Sequence, residues 1–488
     1  VSSELQDVTV AAEAAAASAL PASSRAERAI WLEALATALE AERAELVPIA
    51  AAETHLSAVR LDGEITRTAS QLRFFAGVIR DGGYLEAAID SADPTTLPPR
   101  PELRRMLRPI GPVAVFAASN FPFAFSVLGN DTASALAAGN PVIVKAHPGH
   151  PELSRRVAAL AVRALDSAGA PAGSFALVEG MEAGVALAQH PAIRAIGFTG
   201  SVRGGRALFD LAAARPEPIP FYGELGSLNP VVITAAAAAD AEGLAAGLVG
   251  SFARDGGQYC TKPGLVLVPA GSRLEGAVAD ALGAAVPQPL LTPGIAAAFD
   301  AGVATLAERP DVEVVAGGTG AGHTGARDGD PATAFVVPLV LATTVATFLA
   351  DSETFLTECF GPVTILIRYS DAEELAQAIA GLEGSLTATI RHAPGEDVAS
   401  LASALAPRVG RLIFNGWPTG VAIAWSQHHG GPWPATTASV HSSVGATAIR
   451  RFLTPLSYQD APAAILPPEL ADGNPMGIVR RIDGVLTA

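Results

Sequence analysis

From about residue 100 the sequence repeats one pattern: a short apolar run, a break rich in glycine and polar residues, an amphipathic stretch, then another apolar run. "GPVAVFAA" reads as a buried strand and "AFSVLGNDTASALAAG" as a helix stopped by glycine. "NPVIVKA", "SFALVEG", "AIRAIGFTG" and "PIPFYGELG" read as further strands. "PELSRRVAALAVRALDSAG", "EAGVALAQH" and "SVRGGRALFDLAAA" read as the helices between them. Strands separated by helices pair in parallel, with helices covering both faces. Right-handed crossovers make this a doubly wound, Rossmann-type α/β domain whose ligands lie beyond the carboxyl ends of the strands. A second α/β region begins near residue 228, with "GLVLVP", "PVTILIRY", "TATIR" and "RLIFNG" as strands. Upstream, "RAERAIWLEALATALEAERAEL" spaces Ile30, Leu32, Leu35 and Leu39 as one apolar helix face, expected to pack outside a sheet.

A chain of 488 residues is too long for one core and accommodates two or three domains. Half of it is hydrophobic and 16% is charged, a balance that buries a large core rather than staying disordered. The net charge of −16 argues against nucleic acid or an anionic membrane as partner. Two cysteines make no disulfide framework. The start lacks a basic region ahead of its apolar stretch, which argues against a signal peptide and for a cytoplasmic protein. A chain that opens on Val leaves a removed segment open. Residues 331–350 are uncharged and long enough for a membrane span. Pro331, Pro338 and four threonines favour a buried strand, a loop and a helix start instead.

Cys260 stands in "DGGQYCTKPG", a glycine-rich bend. It reads either as a nucleophile presented on a loop or as an inert small hydrophobe. Cys359, in the tighter setting "TECFGP", reads as structural. Glu224 ends the strand "PIPFYGELG" between two glycines, facing the ligand crevice as a base or simply solvated. Asn120, in "ASNFPFAF", follows a strand and could donate to an oxyanion or cap a turn. Lys145 ends "PVIVK", where a cation could hold a ribose or phosphate. "FTGSVRGG" is a strand-to-helix turn whose N–H groups and Ser201 could cradle phosphate. The pairs His147/His150 and His428/His429 lack a clear Asn or Asp partner. Pro148 and Gly149 make "HPGH" a turn rather than a metal-binding helix face, so no metal is expected.

Together these pieces are specific. "SNFP", "VK", "GFTGS" with Gly205, "GELGS", "GQYC" and "ECFGP" occur in the order found in the NAD(P)-dependent aldehyde dehydrogenase superfamily, which the chain resembles over most of its length. Longer stretches, including "ELGSLNPV" and "GGPWPATT", resemble the subgroup of α-ketoglutarate semialdehyde (2,5-dioxopentanoate) dehydrogenases and NADP-linked fatty-aldehyde dehydrogenases. The resemblance implies an aldehyde dehydrogenase-like fold. A cofactor-binding domain would span 1–90 and 111–227, and a catalytic domain 228–448. Oligomerisation segments would span 91–110 and 449–488, building a homodimer or homotetramer. It implies Cys260 as nucleophile, Asn120 and the Cys260 N–H as oxyanion hole, and Glu224 as base for the deacylating water. It implies that Lys145 binds the adenosine ribose or its 2′-phosphate and that Ser201 contacts pyrophosphate, with Gly200 and Gly205 allowing the approach. Glu358 would hold the nicotinamide ribose, with Phe360 beside it.

Two departures from the superfamily pattern matter. Ser227 and Leu228 replace the usual Gly-Lys of E-L-G-G-K, as they do in the subgroup. Pro148 stands where NAD-specific members carry a glutamate, so repulsion against a 2′-phosphate is gone. His147, His150 or Arg203 could add attraction. NADP is therefore expected, with NAD possible. The expected substrate is 2,5-dioxopentanoate, oxidised to 2-oxoglutarate. A medium- or long-chain fatty aldehyde is the alternative, because "FPFAFSVLG" is aromatic and holds no arginine. Arg254, Ser426, Gln427 and the two following histidines could supply polarity elsewhere. A non-catalytic relative, a redox-free cysteine acyl hydrolase and a coenzyme-A-acylating variant are disfavoured by the presence of Cys260, Glu224, Asn120 and the cofactor-side residues.

Overall fold

The computed structural model describes residues 3–283, 286–318 and 335–487. Five parallel strands form the first sheet, in the spatial order Phe175–Val178, Val142–Lys145, Val113–Phe116, Ala195–Thr199, Phe221–Glu224. In chain order this is 3-2-1-4-5, the doubly wound arrangement. Val113, Val115, Val142 and Val144 face one apolar core, while Ala114, Phe116 and Ile143 face another. That two-sided burial is why these strands read as continuous apolar runs rather than alternating ones.

The helices end where glycine permits. Asn130–Ala138 stops at Gly139 (φ 96°), and Pro151–Ser167 is followed by Gly169 (φ 78°). Residues 124–129, expected to begin the first of these helices, form turns instead. There Glu64 takes the N–H of Ala124.

The second sheet has seven strands in the order Glu313–Ala316, Leu339–Thr344, Val363–Tyr369, Leu265–Pro269, Val231–Ile233, Ser385–Arg391, Val409–Phe414. Every pairing is parallel except that of the first edge strand. The uncharged stretch thus supplies a buried strand and the helix Val345–Ala350; residues 331–334 lie outside the described residues. Among the described residues no helix is long and apolar enough to cross a membrane.

A third sheet joins Leu453–Gln459, Leu103–Pro109, Ala88–Asp90, Arg480–Ile482 and Val485–Thr487. The segments flanking the two large sheets therefore meet in one small one.

Helix Arg25–Ala41 departs from expectation in two ways. Leu32, Leu35 and Leu39 are buried, but Ile30 is 54% exposed and Trp31 turns inward in its place. Ile30 lies two residues before Leu32, about 200° round the helix, whereas Leu35 and Leu39 follow at spacings of three and four. The helix also packs against helices Ala58–Asp81 and Pro151–Ser167 rather than directly on a sheet.

Candidate active site

Cys260 follows a bend built from left-handed residues: Asp255 (φ 47°), Gly256 (φ 71°) and Gly257 (φ 65°). Gly257 is required twice over. Its φ disfavours any side chain, and a Cβ there would lie 2.5 Å from the backbone of Gly361 and Pro362. The bend is then pinned. Gln258 accepts from the Leu291 N–H at 2.8 Å, and the Asn229 side chain donates to the carbonyls of Cys260 (2.8 Å) and Lys262 (2.9 Å). Asn229 was not singled out from the sequence; it lies in "ELGSLNPV", thirty-one residues before Cys260.

Glu224 reaches the same point from the end of the last strand of the first sheet. Segment 435–437 fixes that strand end: Leu225 donates to Ala435 O at 2.8 Å, and Gly223 N–H to Thr437 Oγ1 at 2.9 Å. Glu224 is 3% exposed and His429 1%. His429 Nε2 lies 2.9 Å from Glu224 Oε1 and 3.5 Å from Cys260 Sγ. Ser443 Oγ donates to Glu224 Oε2 at 2.5 Å. Thiol, imidazole and carboxylate therefore form one closed group, in which the thiol is also hydrogen-bonded to Glu224. The sequence offered His429 with no partner; the fold supplies Glu224, 205 residues away. No local signal marks such a pairing.

Burial raises the Cys260 thiol well above the ordinary cysteine range, and the neighbouring Glu224 carboxylate raises it further. Burial also pushes Glu224 upward. The charge and hydrogen bond of His429, with the hydrogen bonds of Ser443 and Cys260, outweigh it and leave the carboxyl below its usual value. Asn120, 9% exposed, donates one amide hydrogen to Gln258 O at 3.0 Å. A side-chain amide carries two such hydrogens, so one stays available. A void of about 20 Å³ behind Glu224 and His429 has room for one water.

Cys260, Asn120 and Glu224 all border a cavity of about 960 Å³ that extends past His147, Gly200, Ser201, Arg203, Glu358 and Phe360. It opens at the topological switch point, where strands Val113–Phe116 and Ala195–Thr199 lie side by side and their following segments diverge. Ser201 caps helix Val202–Ala213 by accepting the Gly204 N–H, which turns the positive end of that helix toward the cavity. Burial pushes the Glu358 carboxyl up to about 7, against the opposing pull of Lys262 and the Ser227 N–H. A carboxylate so poorly solvated favours hydroxyl donors, and a helix N-terminus favours phosphate. These residues therefore fit a dinucleotide.

Some expected residues stand elsewhere. Gly205 packs against Leu225 and Phe198, and Lys145 lies along Gly184; neither is on the cavity wall. His150 is fully buried, its ring nitrogens bonded to Ser154 Oγ and Ala118 O, so it is closed to a ligand. Burial, with His150 and Lys145 nearby, lowers His147 to about 3, so it meets a ligand uncharged. Arg203 and Arg206 are the cavity's cations. Among the described residues, the one Cys/His/carboxylate group with metal-like spacing is Glu224, Cys260 and His429, whose ligand atoms lie within 4.8 Å of one another.

A doubly wound sheet, a second parallel sheet and a thiol at their junction define a class, and comparison with known proteins agrees. The chain belongs to the aldehyde dehydrogenase family, whose model matches residues 2–432. Members of this family use NAD(P). The chain is 46% identical over 470 residues to "Alpha-ketoglutaric semialdehyde dehydrogenase 2" of Azospirillum brasilense, covering 94% of this chain and 87% of the relative. It is 40% identical over 468 residues, with the same coverage, to "Alpha-ketoglutaric semialdehyde dehydrogenase" of Acinetobacter baylyi. A putative aldehyde dehydrogenase from Burkholderia cenocepacia, a solved structure, superposes with a TM-score of 0.77 at 25% identity, over 94% of this chain and 92% of that one.

Proposed function

We propose that the protein oxidises the aldehyde of 2,5-dioxopentanoate to the carboxylate of 2-oxoglutarate, with NADP as the preferred coenzyme and NAD also accepted. The observation that carries the chemistry is the contact group of Cys260, Glu224 and His429, with Cys260 and Glu224 on the cavity wall. The substrate rests on similarity to the two relatives named for it.

In this reading Glu224 takes the thiol proton, with the His429 Nε2–H and the Ser443 hydroxyl donating to its two oxygens, and passes that proton to solvent before deacylation. The thiolate adds to the aldehyde carbon. The free amide hydrogen of Asn120 and the Cys260 N–H hold the oxygen that becomes charged. When bound, the nicotinamide supplies the hydride acceptor, and the acyl group stays on Cys260 as a thioester. Glu224 then draws a proton from the attacking water and the acid leaves. Ser201 and Gly200 would face the pyrophosphate, with Gly205 allowing close packing behind them. Glu358 and Phe360 would hold the nicotinamide ribose, and Lys145 and His147 would serve the adenosine end. Pro148 in place of an acid, with Arg203 and Arg206 on the wall, supports NADP. The small third sheet would join subunits of a homodimer or homotetramer, since Val485 and Leu486 on its edge strand are 64% exposed.

The cluster Phe121, Phe125 and Tyr259 favours a second reading, an alkyl aldehyde. Initial rates of NADPH formation decide between them. A kcat/KM at least about a hundredfold higher for 2,5-dioxopentanoate than for decanal, roughly 2.7 kcal/mol, is expected. The reverse preference replaces this substrate with a fatty aldehyde.

A further inference from the structure

Helix Ala58–Asp81 sends three charged side chains toward the catalytic loop from one face: Arg60, Glu64 and Arg67. Two are engaged. Glu64 Oε1 accepts the N–H groups of Phe123 (2.8 Å) and Ala124 (3.0 Å), tying down the segment after Asn120. Arg60 donates to Asn120 O at 2.5 Å, pairs with Asp255 at 3.2 Å and lies over the rings of Phe121 and Tyr259.

Arg67 has no such engagement. Its Nε and Nη2 are buried without a hydrogen-bond partner, and among the described residues it forms no ion pair, with Glu64 or any other carboxylate. Its guanidinium sits 5.7 Å and 5.9 Å from the ring centroids of Phe121 and Phe125. Phe125 in turn packs against His429, with 6.5 Å between centroids. The charge of Arg67 is close enough to act on both Cys260 and Glu224. None of Arg67, Phe121, Phe125 and Tyr259 lines the large cavity, so this group approaches Cys260 apart from the dinucleotide space.

Buried guanidinium N–H groups without an acceptor are costly, and folded proteins rarely keep them unless an acceptor is supplied. The planar fork of Arg67 suits a carboxylate, which it binds through two parallel hydrogen bonds. A substrate bonded through its aldehyde carbon to Cys260 Sγ would extend away from the dinucleotide space, toward this aromatic group. We infer that Arg67 is a carboxylate-binding subsite that selects short aldehydes bearing a carboxylate at the opposite end. This rests on the proposed aldehyde oxidation at Cys260 and supplies the arginine that "FPFAFSVLG" lacks. Sequence position hid it, because it comes from a helix more than fifty residues before Asn120. Arg411, whose charge also acts on Cys260, is tied to the carbonyls of Pro418 and Gly420, and so is less free to turn to a ligand.

The test uses the full chain, wild type beside Arg67→Gln and Arg67→Lys, with 2,5-dioxopentanoate, 5-oxopentanoate and pentanal. Thermal midpoints establish that each variant is folded. Removing a buried charged partner is expected to lower the kcat/KM ratio of 5-oxopentanoate to pentanal about a hundredfold in Arg67→Gln, mainly through KM. Arg67→Lys should recover part of that ratio. An unchanged ratio, whether both rates fall together or neither falls, overturns the inference; so does a wild type that does not favour 5-oxopentanoate over pentanal. The substrate reading fails separately. If 5-oxopentanoate outruns 2,5-dioxopentanoate while both depend on Arg67, the subsite stands and 2,5-dioxopentanoate is the wrong substrate.

Discussion

Cys260 must lose a proton to react, yet burial and the Glu224 carboxylate both hold its thiol above the ordinary range. Glu224 resolves this, because the thiol is hydrogen-bonded to it and the His429 Nε2–H holds the same carboxylate in place. His429→Gln keeps a polar side chain but loses the rigid donor that positions Glu224. Its kcat/KM should fall roughly 10²-fold, with a matching fall in the rate at which iodoacetamide alkylates Cys260 at pH 7. Equal alkylation rates would show that His429 does not position the base. Glu358 yields a pH prediction. Its folded pKa of about 7 lies above the unfolded value of 4.5, so its contribution to stability is complete below the unfolded value and is lost as pH rises through 7. The thermal midpoint of the coenzyme-free protein should fall relative to Glu358→Gln between pH 5 and pH 8; parallel curves would contradict the shift. Cys260, Glu224 and Asn120 were legible because each sits at a strand end or a glycine bend, where chain punctuation exposes a function. His429 and Arg67 were not, since the residues they face are more than fifty positions away and only the fold brings them near.

The elements that hold the site were mostly legible. Continuous apolar runs such as "PVAVF" and "PVIVK" belong to strands covered on both faces, and glycines mark the helix ends. Ile30 shows the limit. Alanine-rich helices have few bulky residues to define a face, and Trp31 took the inward position. The bend before Cys260 is the element on which activity most depends. Gly257→Ala would force a methyl group against the backbone of Gly361 and Pro362 from a left-handed conformation. The conformational strain alone costs about 1–3 kcal/mol. The variant should lose several degrees of thermal stability and most of its activity, by calorimetry and steady-state rates. A variant with normal activity would show that the loop can move without loss.

At the scale of the whole molecule, the first sheet brings Glu224 and the cavity, the second region brings Cys260 and His429, and helix Ala58–Asp81 brings Arg67. Strand rhythm foretold the two large sheets, but not that Ala88–Asp90 and Arg480–Ile482 pair across almost the whole chain. The account's central claim is that Cys260 carries the acyl group and Glu224 releases it. The most direct test mixes Glu224→Gln with 2,5-dioxopentanoate and NADP and measures both NADPH and the intact mass of the protein. One equivalent of NADPH should form, more slowly than in the wild type because the thiol loses its base as well, and then stop, with one acyl group on Cys260. Steady turnover without a retained acyl group would contradict the claim.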